Sequence, residues 1–366
     1  MIYLDFAAST PLHDQIQSRV TNYFTDYGNP QSLQMVALHK KIAASKQNIA
    51  SYLSVDASRI FFTSGATESI STAIVGSTQF YHTSGNHIIS FESEHPAVLE
   101  SLATLRKKGF KVTILPINSN GSIDYTLLES NITSDTILVS INHVCNETGV
   151  IQDLEPLIQL RKKYGFMIHL DACQSIGKTR LDLSQTPCDF VSLSAHKAYG
   201  PQGIGALYIA SNRHVSPIIH GNHAVRSGTL SHALIQMMGD AYLIAYRDLD
   251  SNLKAISRIR EQFLAKLFDT AVDFEINQID HMQCVPHILN ICFSNASIAT
   301  IEKIRAHIYC QVSSACHQGG LSHVLQARNL PIAKIKRSIR FSFGIQTTLD
   351  DIDTAVEIIR NAHISD

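Results

Sequence analysis

The chain has little of what marks several protein classes. Its 366 residues carry 30 lysines and arginines against 31 aspartates and glutamates, so it offers neither a broad basic face for nucleic acid nor an acidic tail. No run reaches the roughly 20 apolar residues of a membrane-spanning helix. The opening stretch MIYLDFAASTPLHD lacks the basic leader and long apolar core of a secretion signal. The seven cysteines (145, 173, 188, 284, 292, 310 and 316) are odd in number and scattered, with no Cys-x-x-Cys pair. That pattern argues against a disulfide frame and against a structural zinc site. Internal repeats, low-complexity tracts and proline-rich linkers are also missing. These absences lead us to expect a soluble, cytoplasmic protein that acts on a small molecule, with no nucleic-acid, membrane or metal partner.

What is present is a long chain with 45% hydrophobic and 17% charged residues, enough for one large and one smaller core. Between about residues 15 and 245, β-rich runs (RIFFTSG, NHIISFES, KVTILPI, TILVSINHV, FMIHLDA, DFVSLSAH, IGALYIA) alternate with helical stretches. That alternation predicts an α/β domain with a largely parallel sheet, whose ligands bind beyond the carboxyl ends of the strands. PQSLQMVALHKKIAASKQNIASYL and DLEPLIQLRKKYG show helical spacing, the second closing on glycine. The stretch 232–268 reads as one long helix, and PHILNICFSN and KRSIRFSFG read as strands of a smaller α+β unit. The expected domains are 15–246 (large) and 1–14 with 247–366 (small).

Three strand ends collect chemistry. FFTSGATES places Gly65, Ala66 and Thr67 at a turn into a helix, where backbone N–H groups and the helix dipole favour a phosphate, although such turns are common without one. MIHLDACQS ends an apolar strand on Asp171, with Gln174 just beyond; a buried aspartate needs a partner, which could be a helix N-terminus or a cationic ring nitrogen. SLSAHKAYGPQGIG gathers Ser194, His196 and Lys197, and the lysine is either a solvated loop amine or a Schiff-base former. Taken together, a phosphate cradle, a carboxylate for a pyridinium nitrogen and an amine for an aldehyde are what pyridoxal 5'-phosphate requires.

In this order the motifs resemble those of class V, fold-type I pyridoxal-phosphate enzymes, and among them the cysteine desulfurases, from YLDFAASTP to SIRFSFG. The resemblance implies a fold-type I transferase with a mostly parallel seven-stranded sheet and a smaller α+β C-terminal domain. It implies that Lys197 forms the Schiff base, Asp171 pairs with the pyridine nitrogen and Gln174 hydrogen-bonds the ring's phenolic oxygen. Thr67, Ser194 and His196, with the backbone of Gly65 and Ala66, would hold the phosphate. His95, in SFESEHPAVLE, would stack on the ring and move protons, and Asn146 would lie near cofactor and substrate. Arg340 would clamp the substrate carboxylate bidentately with help from Asn29. Thr229, in RSGTL, would reach the phosphate of a neighbouring subunit, which implies a homodimer. Cys316 matches the cysteine that takes the substrate sulfur as a persulfide; Cys310 is a weaker rival, and Cys292 reads as inert. The implied reaction converts L-cysteine to L-alanine and passes sulfur to an acceptor protein for iron–sulfur cluster or thio-cofactor biosynthesis.

The chain departs from the family pattern in places. The glycine-rich stretch before Arg226 is shortened to IIHGNHAVRSGTL, which bears on the dimer contact. Phe6, Gln34, Ala37 and Cys145 replace the residues usual at those positions. His317 after Cys316, in ACHQGG, also resembles selenocysteine lyases. A class V aminotransferase in which Cys316 is incidental, and a non-catalytic scaffold of the same fold, are further readings.

Overall fold

Seven short runs of β-branched and aromatic residues assemble side by side; in six of them nearly every residue is buried, as expected for strands covered on both faces, while the edge strand Lys111–Leu115 is mostly only partly buried. The computed structural model describes residues 1–29, 32, 34–277, 283–312 and 320–364. The sheet runs Ile60–Thr63, Gly205–Ile209, Phe190–Ser194, Met167–Asp171, Thr136–Asn142, His87–Phe91, Lys111–Leu115. All strands are parallel except Gly205–Ile209, which is antiparallel to both neighbours. The seven runs read as strands in the sequence are these seven.

Alternate side chains along the strands feed two apolar layers. Val139, Ile168 and Val191 pack with Ile49, Leu53, Leu157 and Tyr242 from the helices Val36–Leu53, Glu155–Tyr164 and His232–Arg247. Leu138, Met167 and Phe190 pack on the opposite face with Ile70, Ile74, Val98 and Leu102. The helix Glu155–Tyr164 stops at Gly165, whose φ of 81° is left-handed, as its final glycine predicts.

The stretch 232–268 is not one helix but two, His232–Arg247 and Leu249–Phe268. They meet at Asp248, whose φ of −102° and ψ of 10° leave the helical region while its carboxylate is held by Arg247. Apolar periodicity continues across the join, so the break does not show in the pattern. Leu249–Phe268, Ile298–His307 and Leu349–Ile364 cover an antiparallel sheet in which Ile288–Phe293 lies between Phe274–Ile276 and Ser338–Ser342. The first strand, Ile2–Tyr3, joins this part of the molecule by pairing parallel with Ile308–Tyr309, and Leu4 is buried in the same core. The opening residues read as a short strand-like run, whereas Ile308–Tyr309 and Phe274–Ile276 escape sequence reading because each has only two or three residues. No described helix is long and apolar enough to cross a membrane.

Candidate active site

The carboxyl ends of the central strands fall on one edge. Asn142 pairs with Asp171, and Asp171 with Ser192, so neighbouring strands finish together. Gly205 starts the antiparallel strand on the same edge, opposite both Thr63 and Ser194. A Cβ on Gly205 would lie 2.6 Å from the carbonyl carbon of Gly65 and 2.7 Å from the Leu193 oxygen. Glycine is therefore required for the two backbones to approach, and the approach brings the Gly65 turn beside the Lys197 turn.

Beyond this edge lies a cavity of about 500 Å³ lined by Gly65, Ala66, Thr67, His95, Asn146, His196, Lys197 and Arg340, together with Ser9, Glu68 and Gln202. Helix Ala66–Ser71 opens onto it without a side-chain cap, and a Cβ on Gly65 would meet no atom within 4 Å. An uncapped start leaves the first backbone N–H groups of this helix available to an anion. Glu68 braces this turn: Oε2 accepts the Ser64 N–H at 2.8 Å and Oε1 accepts Arg226 Nε at 3.0 Å, which ties the RSGT segment to the cradle.

Lys197 sits in the turn after strand Phe190–Ser194 and is half-buried. The N-terminal segment pins this turn: Thr10 N and Oγ1 both donate to the His196 carbonyl, and Tyr199 N donates to Thr10 Oγ1. Burial first, and then the cations Lys197 and Lys178, push the His196 imidazole down to about 4, so it is neutral near pH 7. His95 precedes Pro96 at the head of helix Pro96–Lys107, and its Nδ1 accepts the Ala97 N–H at 3.1 Å. The neutral ring then carries its proton on Nε2. Burial, followed by the Lys197 ammonium, pushes His95 down to about 4.

Arg340 is buried, with Nη2 donating to Asp5 Oδ1 at 2.6 Å and Nη1 to the Asn146 carbonyl at 2.9 Å. Among the described residues its Nε has no hydrogen-bond partner. Asp171 is buried at its strand end and accepts the Cys173 N–H through Oδ1. Gln174 donates to the Ala7 carbonyl at 2.7 Å, and Ser194 is wholly buried; these three lie behind the residues that line the cavity.

Asn29 and Thr229 are exposed and do not line the cavity. Cys316 and His317 lie outside the described residues. Cys310, the rival thiol, is buried, and burial pushes its pKa up to about 12, which leaves no useful thiolate at neutral pH. Cys292 is likewise buried and raised. Among the described residues no cluster of His, Cys, Asp or Glu could hold a metal ion.

Several residues of this region have no motif signal. Asp5 holds Arg340 across 335 positions of sequence. Glu94 is buried beside His95, and its Oε1 accepts both the backbone and side-chain N–H of Asn142. Burial, and the nearby Asp171 charge, raise its pKa well above the carboxylate range. Lys178 and His287 meet at Gln174. Only Asp5 could have been suspected from sequence, as a carboxylate in the opening apolar stretch.

An uncapped helix start over a glycine, an amine in a tight turn and a strand-end carboxylate share one sheet edge, and residues 2–355 match the model of the aminotransferase class-V family, to which the chain therefore belongs. Cysteine desulfurase IscS of Vibrio cholerae serotype O1 (strain M66-2) is 39% identical over 376 aligned residues, covering 99% of this chain and 92% of the relative. A solved NifS-like protein superposes with a TM-score of 0.92 at 30% identity, over 100% of this chain and 99% of that one. The structure of SspA in complex with cysteine superposes with a TM-score of 0.83 at 29% identity, over 95% and 100% of the two chains. With similarity of this degree along almost its whole length, the chain is an enzyme of the cysteine desulfurase family. That membership implies pyridoxal phosphate chemistry.

Proposed function

We propose that this enzyme binds pyridoxal 5'-phosphate in the cavity at the sheet edge and converts L-cysteine to L-alanine, with the sulfur held as a persulfide on Cys316. The observation that carries the reading is the convergence on one cavity of Lys197, His95, His196, the Gly65–Thr67 turn and Arg340. The donor set fits the cofactor: open N–H groups over Gly65 for a phosphate, a buried carboxylate at Asp171 for a ring nitrogen and an amine at Lys197 for an aldehyde.

When bound, the cofactor supplies an electron sink that lets the substrate α-carbon lose a proton. Thr67, Ser194 and His196 with the first N–H groups of the helix would hold the phosphate, a neutral His196 as a hydrogen-bond donor. Lys197 holds the cofactor and takes up the α-proton at Nζ. His95 would face the ring with Nε2–H as the donor it presents, because a proton on Nδ1 would break the Ala97 contact. Arg340, steadied by Asp5 and the Asn146 carbonyl, receives the substrate carboxylate, with Asn146 beside it. The solved relative with bound cysteine supports a substrate of that size and charge.

Cys316 accepts the sulfur. The step balances without an external oxidant: L-cysteine and a thiol give L-alanine and a persulfide, one C–S bond breaking and one S–S bond forming. An acceptor protein then removes the outer sulfur for iron–sulfur cluster or thio-cofactor assembly in the cytoplasm. Thr229 is exposed and away from its own chain's cavity, which supports assigning it to the phosphate of a second subunit in a homodimer.

The test is spectroscopic. Protein loaded with pyridoxal phosphate should show the visible absorbance of a lysine-bound cofactor, and Lys197→Ala should abolish it while the fold is retained. Absence of that absorbance from loaded wild-type protein would remove the cofactor reading.

A further inference from the structure

Lys178 is a buried lysine that the reaction above does not use. It lies beyond strand Met167–Asp171, four residues after Gln174, and is 4% exposed. Its Nζ donates to the Lys197 backbone carbonyl at 2.6 Å and to Gln174 Oε1 at 3.4 Å. No carboxylate is paired with it among the described residues. The charged and titratable groups that act on it or feel it are Lys197, Cys173, Arg340, His287 and His196, and two of them, Lys197 and Arg340, are cations that disfavour another cation here. A buried amine among cations is costly unless its position serves a purpose.

The position has a geometric consequence. A protonated amine can only donate, so it selects the amide oxygen of Gln174 and turns the amide nitrogen the other way. His287 Nε2 meets the same oxygen at 3.4 Å, and the nitrogen donates one N–H to the Ala7 carbonyl at 2.7 Å. The second N–H is then presented in one orientation only. Through its other contact, Lys178 holds the main chain of the residue that carries the reactive amine.

We propose that Lys178 is a positioning residue of the cofactor site: it fixes the Lys197 main chain and orients the Gln174 amide so that an N–H points to the phenolic oxygen of the bound ring. This rests on the cofactor reading above and assigns a role to a residue outside the cavity lining. Burial, and next the Lys197 ammonium, push the Lys178 amine down to about 7, so it is only partly protonated at neutral pH and sensitive to its surroundings.

A donor aimed at the phenolic oxygen lowers the basicity of the nitrogen that shares a proton with it, and a nearby positive charge does the same. Loss of Lys178 should therefore raise the pH midpoint of the visible absorbance of the loaded enzyme. In Lys178→Met and in Lys178→Gln, the second kept in case the first folds poorly, the midpoint should rise by about one pH unit, the size of one hydrogen bond to a charged group. Lys178→Arg should restore part of the difference. The rise should largely vanish when the same substitution is made in a Gln174→Leu background, because the route through the amide is then already gone. An unchanged midpoint in a variant that still binds cofactor overturns the proposal, as does a full rise that persists without Gln174. Wild-type protein that takes up no cofactor would instead overturn the functional reading, and this inference with it.

Discussion

An arginine that clamps a carboxylate has to be held still while keeping donors to spare. Arg340 meets that condition through Asp5 on Nη2 and the Asn146 carbonyl on Nη1, with Nε unpartnered among the described residues. Lysine keeps the charge but loses the planar fork. Arg340→Lys should therefore raise KM for L-cysteine about tenfold or more with the cofactor absorbance unchanged. Steady-state kinetics beside the visible spectrum checks this, and an unchanged KM would move the carboxylate site elsewhere. At this scale the residues legible in sequence were those whose chemistry is scarce: a lysine after a His in a glycine-rich turn, an aspartate closing an apolar strand, a histidine before a proline. Glu94 and Lys178 were not legible, and Asp5 only as a lone carboxylate in the opening stretch, because what matters about them is whom they touch. Asp5 meets Arg340 from the other end of the chain, and Glu94 meets Asn142 across 48 positions.

The elements that carry these side chains depend on close backbone approaches. Helix His232–Arg247 crosses helix Val36–Leu53 at Gly239, where a Cβ would lie 2.6 Å from Ser45 Cα. Gly239→Val should lower stability by about 1–3 kcal/mol through overpacking, measurable by urea denaturation; a neutral result would mean that the helices can part at no cost. Six of the seven strands of the main sheet were readable because burial on both faces makes them continuous apolar runs bounded by turns, and the edge strand Lys111–Leu115 because it is rich in β-branched residues. The division of 232–268 was not, since Asp248 interrupts the backbone without interrupting the apolar stripe. The turn of π-helix at Thr72–Gly76, directly after the cradle helix, has no sequence sign either. It rests on Gly76, where a Cβ would lie 2.5 Å from the Ser216 carbonyl oxygen.

Across the whole molecule, buried imidazoles couple stability to pH. Burial pushes His143 and His169 down to about 4, far below the unfolded value of about 6.5. As pH falls below that unfolded value, the unfolded chain binds protons at these rings and the folded chain does not, so stability falls with pH until about 4. At pH 5.5 each ring should account for about 1 kcal/mol of loss relative to pH 7.5, and His143→Gln should flatten the slope, as denaturation at a series of pH values would show. Stability constant from pH 7.5 to 5.5 would mean that these rings are not held neutral. For the reaction itself, the decisive measurement is alanine and sulfide formed from L-cysteine by loaded wild-type and Cys316→Ala protein, with L-selenocysteine run alongside. Wild type should form alanine from L-cysteine, and Cys316→Ala should lose that activity while the cofactor absorbance persists. No alanine from L-cysteine, turnover of L-selenocysteine alone, or full turnover without Cys316 would contradict the proposed reaction.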